Sequence, residues 1–297
     1  MSESLSNPSH GEANGSVDPP KSPLVKLVGR VHQDDCMNVL RRIESNSVNV
    51  IFADPPFNLG KKYKSYRDNK PLEDYLDWTS EWIAESCRVL RDDGSLFIYN
   101  IPRLLIHTVS LLAGKLEFRH WIAWNSNARP LGKTLQPAHY GILFYTKSRD
   151  SKFDNVRAPH QKCRKCDEFL KDYGGKKHRR HYFGYQVSDV WSDIHRVRHR
   201  RKRIADHPCQ LPVHLIERLL LLSTDPGDVL FDPFCGGGSA AVAAKQLNRR
   251  YIGAEIDASY AEISNQKYQE AKHVTDETGA FVSVHLGKVV SIRDIDL

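Results

Sequence analysis

Short apolar runs alternate with longer stretches of helical period in two parts of the chain, and a polar stretch separates the parts. VNVIFA (48–53) predicts a buried strand. In residues 72–90, LEDYLDWTSEWIAESCRVL, apolar side chains recur at helical spacing. Asp92-Asp93-Gly94 then predicts a turn into SLFIYN (95–100), and HWIAW (120–124) and GILFYT (141–146) are further strand candidates. From about Pro208 the order returns, with an apolar helix over VHLIERLLLLS (213–223) and a turn at Asp225-Pro226-Gly227-Asp228. VLFDPFCGGGSAAVAAKQLNRRYIGAEID follows as strand, glycine loop, helix and second strand. A last helix is expected over about 258–272, and GAFVSVHLGKVVSI reads as one or two strands. Strands alternating with helices predict an α/β fold with a parallel sheet covered on both faces.

Charge changes this picture in one place. The net charge of the 297 residues is +7. From Arg157 to Arg203 there are fifteen Lys and Arg against five Asp and Glu, so that segment carries +10 and the rest of the chain −3. A strongly basic segment on a mildly acidic body is the footprint of a polyanion partner. No run of eighteen apolar residues is present and the N-terminus lacks an apolar signal core, so a cytoplasmic protein with reduced thiols is expected. Residues 1–24, rich in Ser, Asn, Gly and Pro, are expected to be a disordered tail.

Two stretches carry candidate chemistry. ADPPFN (53–58) leaves the first strand through an acid, two prolines and an aromatic expected to be exposed. Proline has no N–H and pushes the residue before it away from helix, so this is a stiff turn that holds a carboxylate and a ring. In the second stretch Asp232 ends a strand and Gly236 to Gly238 precede a helix of small residues, a place where backbone can approach a ligand. Glu255 ends the next strand, near the spacing at which an acid bonds ribose hydroxyls. Asp232 would repel a pyrophosphate and would suit an ammonium. A ligand with an amino-acid end and a ribose end fits better than a dinucleotide, and S-adenosylmethionine has both. Asp54 and the Pro55 carbonyl can then accept hydrogen bonds from an exocyclic amino group of a base, while Phe57 stacks on it. Such a base must be flipped out of a duplex.

With DPPFN (54–58) early, a basic middle and FDPFCGGGS (231–239) late, the sequence resembles the β group of amino-directed DNA methyltransferases, which modify adenine N6 or cytosine N4. The likeness covers about 26–272 in pieces, including GRVHQDDC and HPCQLP (207–212), where Leu211 stands in place of the lysine common in the group. It implies a Rossmann-like methyltransferase sheet with an inserted basic target-recognition region. The division implied is a tail over 1–24, a catalytic half over 25–124, the recognition insertion over 125–206 and a cofactor half over 207–297. Site residues implied are Asp54, Pro55, Pro56 and Phe57 for catalysis, and Asp35, Asp232, Phe234, Gly236, Gly238 and Glu255 for S-adenosylmethionine. Arg196, Arg198, Arg200 and Arg201 are the expected phosphate contacts to duplex DNA. Asp54 opening the motif favours adenine N6 over cytosine N4, which stays the runner-up. An RNA methyltransferase and an inactive DNA-binding regulator rank below both. A cognate restriction endonuclease and a homodimer remain open as partners. No metal is assigned, although Cys163 and Cys166, with His178 and His181, form a weak zinc candidate.

Overall fold

The computed structural model describes residues 24–61, 68–126, 135, 137–160, 166, 168, 184–197, 210–273, 282–285 and 288–293. In chain order the elements are β1 (Arg30–Gln33), α1 (Cys36–Arg42), β2 (Val48–Ala53), α2 (Leu72–Val89), β3 (Leu90–Asn100), α3 (Pro102–Leu112), β4 (Glu117–Trp124) and β5 (Tyr140–Thr146). After these come β6 (Val156–Ala158), β7 (Tyr185–Gln186), β8 (Val190–Trp191), α4 (Val213–Ser223), β9 (Val229–Asp232), α5 (Ser239–Gln246), β10 (Arg250–Glu255), α6 (Ala258–Glu270), β11 (Val282–His285) and β12 (Lys288–Arg293).

Eight strands form the main sheet in the order β1-β10-β9-β2-β3-β5-β4-β8. The first five run parallel. β5 lies antiparallel to both β3 and β4, so the expected parallel sheet is mixed. Alternation along each strand explains how both faces are covered. Phe52, Phe97, Phe144 and Leu230 pack on one face with residues of α4 and α5. Ile51, Leu96, Leu143 and Phe231 pack on the other with residues of α1, α2 and α3.

The expected turn at Asp92-Asp93-Gly94 is instead inside β3. Val48 pairs with Leu90 and Val50 with Ser95, so the extra residues bulge out of the ladder and the strand continues. Helices α1 and α3 and strand β1 add to the elements read from the pattern. The residues over 279–292 that are described form two strands, β11 and β12, which join β6 and β7 in a four-stranded antiparallel sheet.

β12 of this small sheet and the segment after β8 are tied to α4 by Arg218, which is fully buried. Its two terminal nitrogens donate to the Asp193 carboxylate at 3.0 and 2.5 Å, and Nε donates to Ser291 Oγ at 2.8 Å. The guanidinium also lies 5.0 Å from the Trp191 ring centre. Burial pushes the Asp193 carboxyl up, but the Arg218 hydrogen bonds and charge outweigh it and hold the carboxyl below its usual value. Residues 1–23 of the expected tail lie outside the described residues. No helix among the described residues is long and apolar enough to cross a membrane.

Candidate active site

From the middle of the sheet the chain winds in opposite directions: β2-α2-β3 one way and β9-α5-β10 the other. β2 and β9 are neighbours, with Ile51 beside Phe231. At such a reversal the loops leaving the strand ends diverge and leave a crevice. A cavity of about 290 Å³ lies there, lined by residues of both loops and of the β1 and β10 ends. Six carboxylates line it, from Asp34, Asp35, Asp54, Asp232, Glu255 and Asp257, against one ammonium among the described residues, that of Lys70.

Asp54 is half-buried in the cavity wall, and none of the described residues donates a hydrogen bond to its carboxylate. Burial, then the nearby Asp232 charge, push it well above the usual carboxylate range, with Lys61 pulling the other way. Phe57, expected to be exposed, is buried. Its ring packs 5.6 Å from Tyr99 and 6.1 Å from Tyr140, and the Lys61 ammonium sits 5.1 Å from its centre. The aromatic cluster beneath the sheet end offers more apolar contact than solvent does, so the ring turns inward while still lining the cavity.

Behind this turn, buried Asp68 organises the loop. Its carboxylate accepts the N–H groups of Asn58 (2.7 Å), Leu59 (3.1 Å) and Lys61 (3.0 Å). Asn58, at φ 52°, pairs both ways with the Lys70 backbone at 2.7 and 2.8 Å. Lys70 in turn lies 5.2 Å from the Trp78 ring, and Trp78 packs 5.5 Å from Phe234. Sequence reasoning missed Asp68, because its partners are backbone groups, and missed Trp78, whose helical spacing reads as core.

On the other side, Asp232 is buried. Its Oδ1 accepts the Phe234 N–H at 3.0 Å and its Oδ2 the Tyr251 hydroxyl at 3.3 Å. Burial raises its pKa to about 7. Gly238 caps α5 at φ 79°, and an added Cβ would meet Ser264 at 2.9–3.0 Å, so glycine is required there. Ser264 Oγ and Lys267 Nζ, both on α6, donate to the carbonyls of Gly236 (2.7 Å) and Gly237 (2.9 Å). Glu255 reaches back across the loop. One oxygen accepts the Gly236 N–H at 2.8 Å and the other the Asp257 N–H at 2.9 Å, and burial raises its pKa. Asp35 caps α1 by accepting the Met37 N–H at 2.8 Å. Gln210 and Leu211 of HPCQLP line the cavity, where the Leu211 carbonyl accepts Ser239 Oγ at 2.7 Å.

The geometry thus brings Asp35, Asp54, Pro55, Pro56, Phe57, Asp232, Phe234, Gly236 and Glu255 around one cavity, with Gly238 at the start of the helix behind it. Arg196 is exposed, and Arg198, Arg200 and Arg201 lie outside the described residues. The zinc candidate gains nothing. Cys166 is a free, exposed thiol, Cys163, His178 and His181 lie outside the described residues, and no group of three metal-ligating side chains occurs among the described residues.

A family model described as DNA methylase, N6_N4_Mtase, matches residues 48–266. The Type II methyltransferase M.BamHI of Bacillus amyloliquefaciens is 40% identical over 232 residues, which are 77% of this chain and 55% of the relative. The chain therefore spans about half the length of that relative. The DNA adenine methyltransferase YhdJ of Escherichia coli (strain K12) is 29% identical, covering 82% of this chain and 83% of YhdJ. Among solved structures, the cytosine-N4-specific PvuII DNA methyltransferase superposes with a TM-score of 0.58 at 16% identity, over 81% of this chain and 90% of that one, a likeness of fold. By the span of the family match and the identity to its relatives, the chain belongs to the N6/N4 DNA methylase family.

Proposed function

We propose that the protein transfers a methyl group from S-adenosylmethionine to an exocyclic amino group of a flipped base in duplex DNA, with adenine N6 as the target. The observation that carries this reading is the Asp54 carboxylate, which faces a cavity beside Asp232 and receives no hydrogen bond from any described residue. A half-buried carboxylate that faces a cavity with no donor among the described residues is placed to accept a hydrogen bond from a ligand.

The residues present fit the cofactor. A cavity with six carboxylates and one ammonium suits a ligand of net positive charge and disfavours a pyrophosphate. Asp232 would take the ammonium of the amino-acid end and Glu255 the ribose hydroxyls. Asp35 would take the adenine amino group, with Phe234 as an apolar wall. When bound, S-adenosylmethionine supplies an electrophilic methyl group. The chain's own part is positioning. Asp54 and the Pro55 carbonyl accept the two N–H groups of the target amine and draw its lone pair out of conjugation, while Phe57 sets the plane of the base. No proton need leave before the nitrogen attacks, and Asp54 is placed to take it afterwards.

Adenine is preferred because Asp54 opens the motif and because a relative is named as a DNA adenine methyltransferase. The likeness to a cytosine-N4-specific enzyme keeps cytosine N4 as the second reading. The basic segment, including Arg196, Arg198, Arg200 and Arg201, supports binding to the DNA backbone. The Type II name of the M.BamHI relative supports a modification role beside a restriction endonuclease.

Asp54→Ala tests the assignment. It should bind S-adenosylmethionine as the wild type does in calorimetry and yet transfer no label to DNA. Substantial turnover by the variant contradicts the role given to Asp54.

A further inference from the structure

A buried hydrogen-bonded chain lies behind the Asp54–Phe57 turn, and the chemistry above makes no use of it. Asn100, the last residue of β3, is 2% exposed, and its Nδ2 donates to the Tyr75 hydroxyl at 3.3 Å. Tyr75 of α2, 1% exposed, donates in turn to the Pro56 carbonyl at 2.9 Å. The direction of this chain is fixed. Asn100 Oδ1 accepts the Ile101 N–H at 2.7 Å, which leaves Nδ2 to face Tyr75 and commits the tyrosine proton to Pro56. Packing alone needs no such chain, because phenylalanine would fill the Tyr75 site without burying a hydroxyl.

Two consecutive prolines supply no N–H, so carbonyls are the backbone handles through which the protein can hold this turn. Tyr75 takes the Pro56 carbonyl, and among the described residues no donor reaches that of Pro55. We propose that Tyr75, backed by Asn100, is a positioning residue. It fixes the Pro56–Phe57 peptide plane and withdraws the Pro56 carbonyl as a competing acceptor, so that the target amino group meets the Pro55 carbonyl and Asp54 together. This rests on the reading of those two acceptors given above.

The test is single-turnover methyl transfer to duplex DNA by Tyr75→Phe, with S-adenosylmethionine affinity measured on the same protein. The expected result is a rate about tenfold lower at unchanged cofactor affinity, the size of one missing hydrogen bond. Asn100→Asp is the second variant. It keeps the acceptor for Ile101 and draws the Tyr75 proton away from Pro56, so it should slow transfer in the same way with the tyrosine in place. A Tyr75→Phe rate equal to wild type overturns the inference. A rate that falls only in step with cofactor affinity also overturns it, since that marks general loosening. If Tyr75→Phe does not fold, Asn100→Asp decides by the same two criteria. A wild-type protein that transfers no methyl group overturns the reading of the site itself, which is a different failure.

Discussion

At the scale of single residues, the site is a problem of keeping acids where acids repel. Asp54 and Asp232 end neighbouring strands; burial raises the cost of ionising each, and the Asp232 charge adds to that cost at Asp54. A ligand carrying positive charge relieves both. The consequence is a pH dependence of binding with a defined sign. Asp232 has a pKa of about 7 in the free protein, and the proposed contact to the cofactor's ammonium requires its ionised form. Below pH 7 binding must first expel a proton, so S-adenosylmethionine affinity should rise about tenfold per pH unit up to that point and level off above it. Calorimetry between pH 5.5 and 8 measures this, and Asp232→Asn should flatten the slope. Asp54, Asp232 and Glu255 were legible in the sequence because each closes an apolar run that reads as a strand. Asp68 and Tyr75 were not, because what gives them meaning is a backbone N–H or carbonyl that only the folded loop brings near.

At the scale of elements, the apolar runs foretold strands, the helical period foretold α2, and helices were also expected where α4, α5 and α6 lie, while pairing stayed hidden. GILFYT looks like any buried strand, and nothing in it says that it runs antiparallel between β3 and β4. Asp92-Asp93-Gly94 has turn composition, yet β3 passes through it because the flanking residues both find partners on β2. α3 carried a readable signal in Pro102 at its start and in Leu104, Leu105, Thr108 and Leu112 on its buried side. The junction with the clearest energetic consequence is the one Arg218 makes between α4, β12 and the segment after β8. Asp193→Ala leaves that buried guanidinium without its carboxylate, which should cost about 3 kcal/mol in urea unfolding. Adding Arg218→Met should recover much of the loss, and a single variant as stable as wild type would show that the pair does not hold the segment.

At the scale of the whole molecule, two motifs far apart in sequence meet because β2 and β9 are neighbours at the middle of the sheet. Their order along the chain was legible, and so was the charge contrast between the basic middle and the acidic remainder. The contrast suits a body that presents acids to a cationic ligand and bases to a polyanion. Neutralising Arg196, Arg198, Arg200 and Arg201 together should weaken DNA binding across sequences and lower the slope of log affinity against log salt by about one for each phosphate no longer neutralised. An unchanged slope in fluorescence anisotropy would place the DNA interface elsewhere. The proposed activity is methylation of an exocyclic amino group of DNA in this cavity. Digesting duplex DNA after incubation with labelled S-adenosylmethionine, and resolving its nucleosides by mass spectrometry, tests it most directly. The predicted product is N6-methyladenine, N4-methylcytosine would change the base and keep the chemistry, and label on a ring carbon or no label on DNA would contradict the claim.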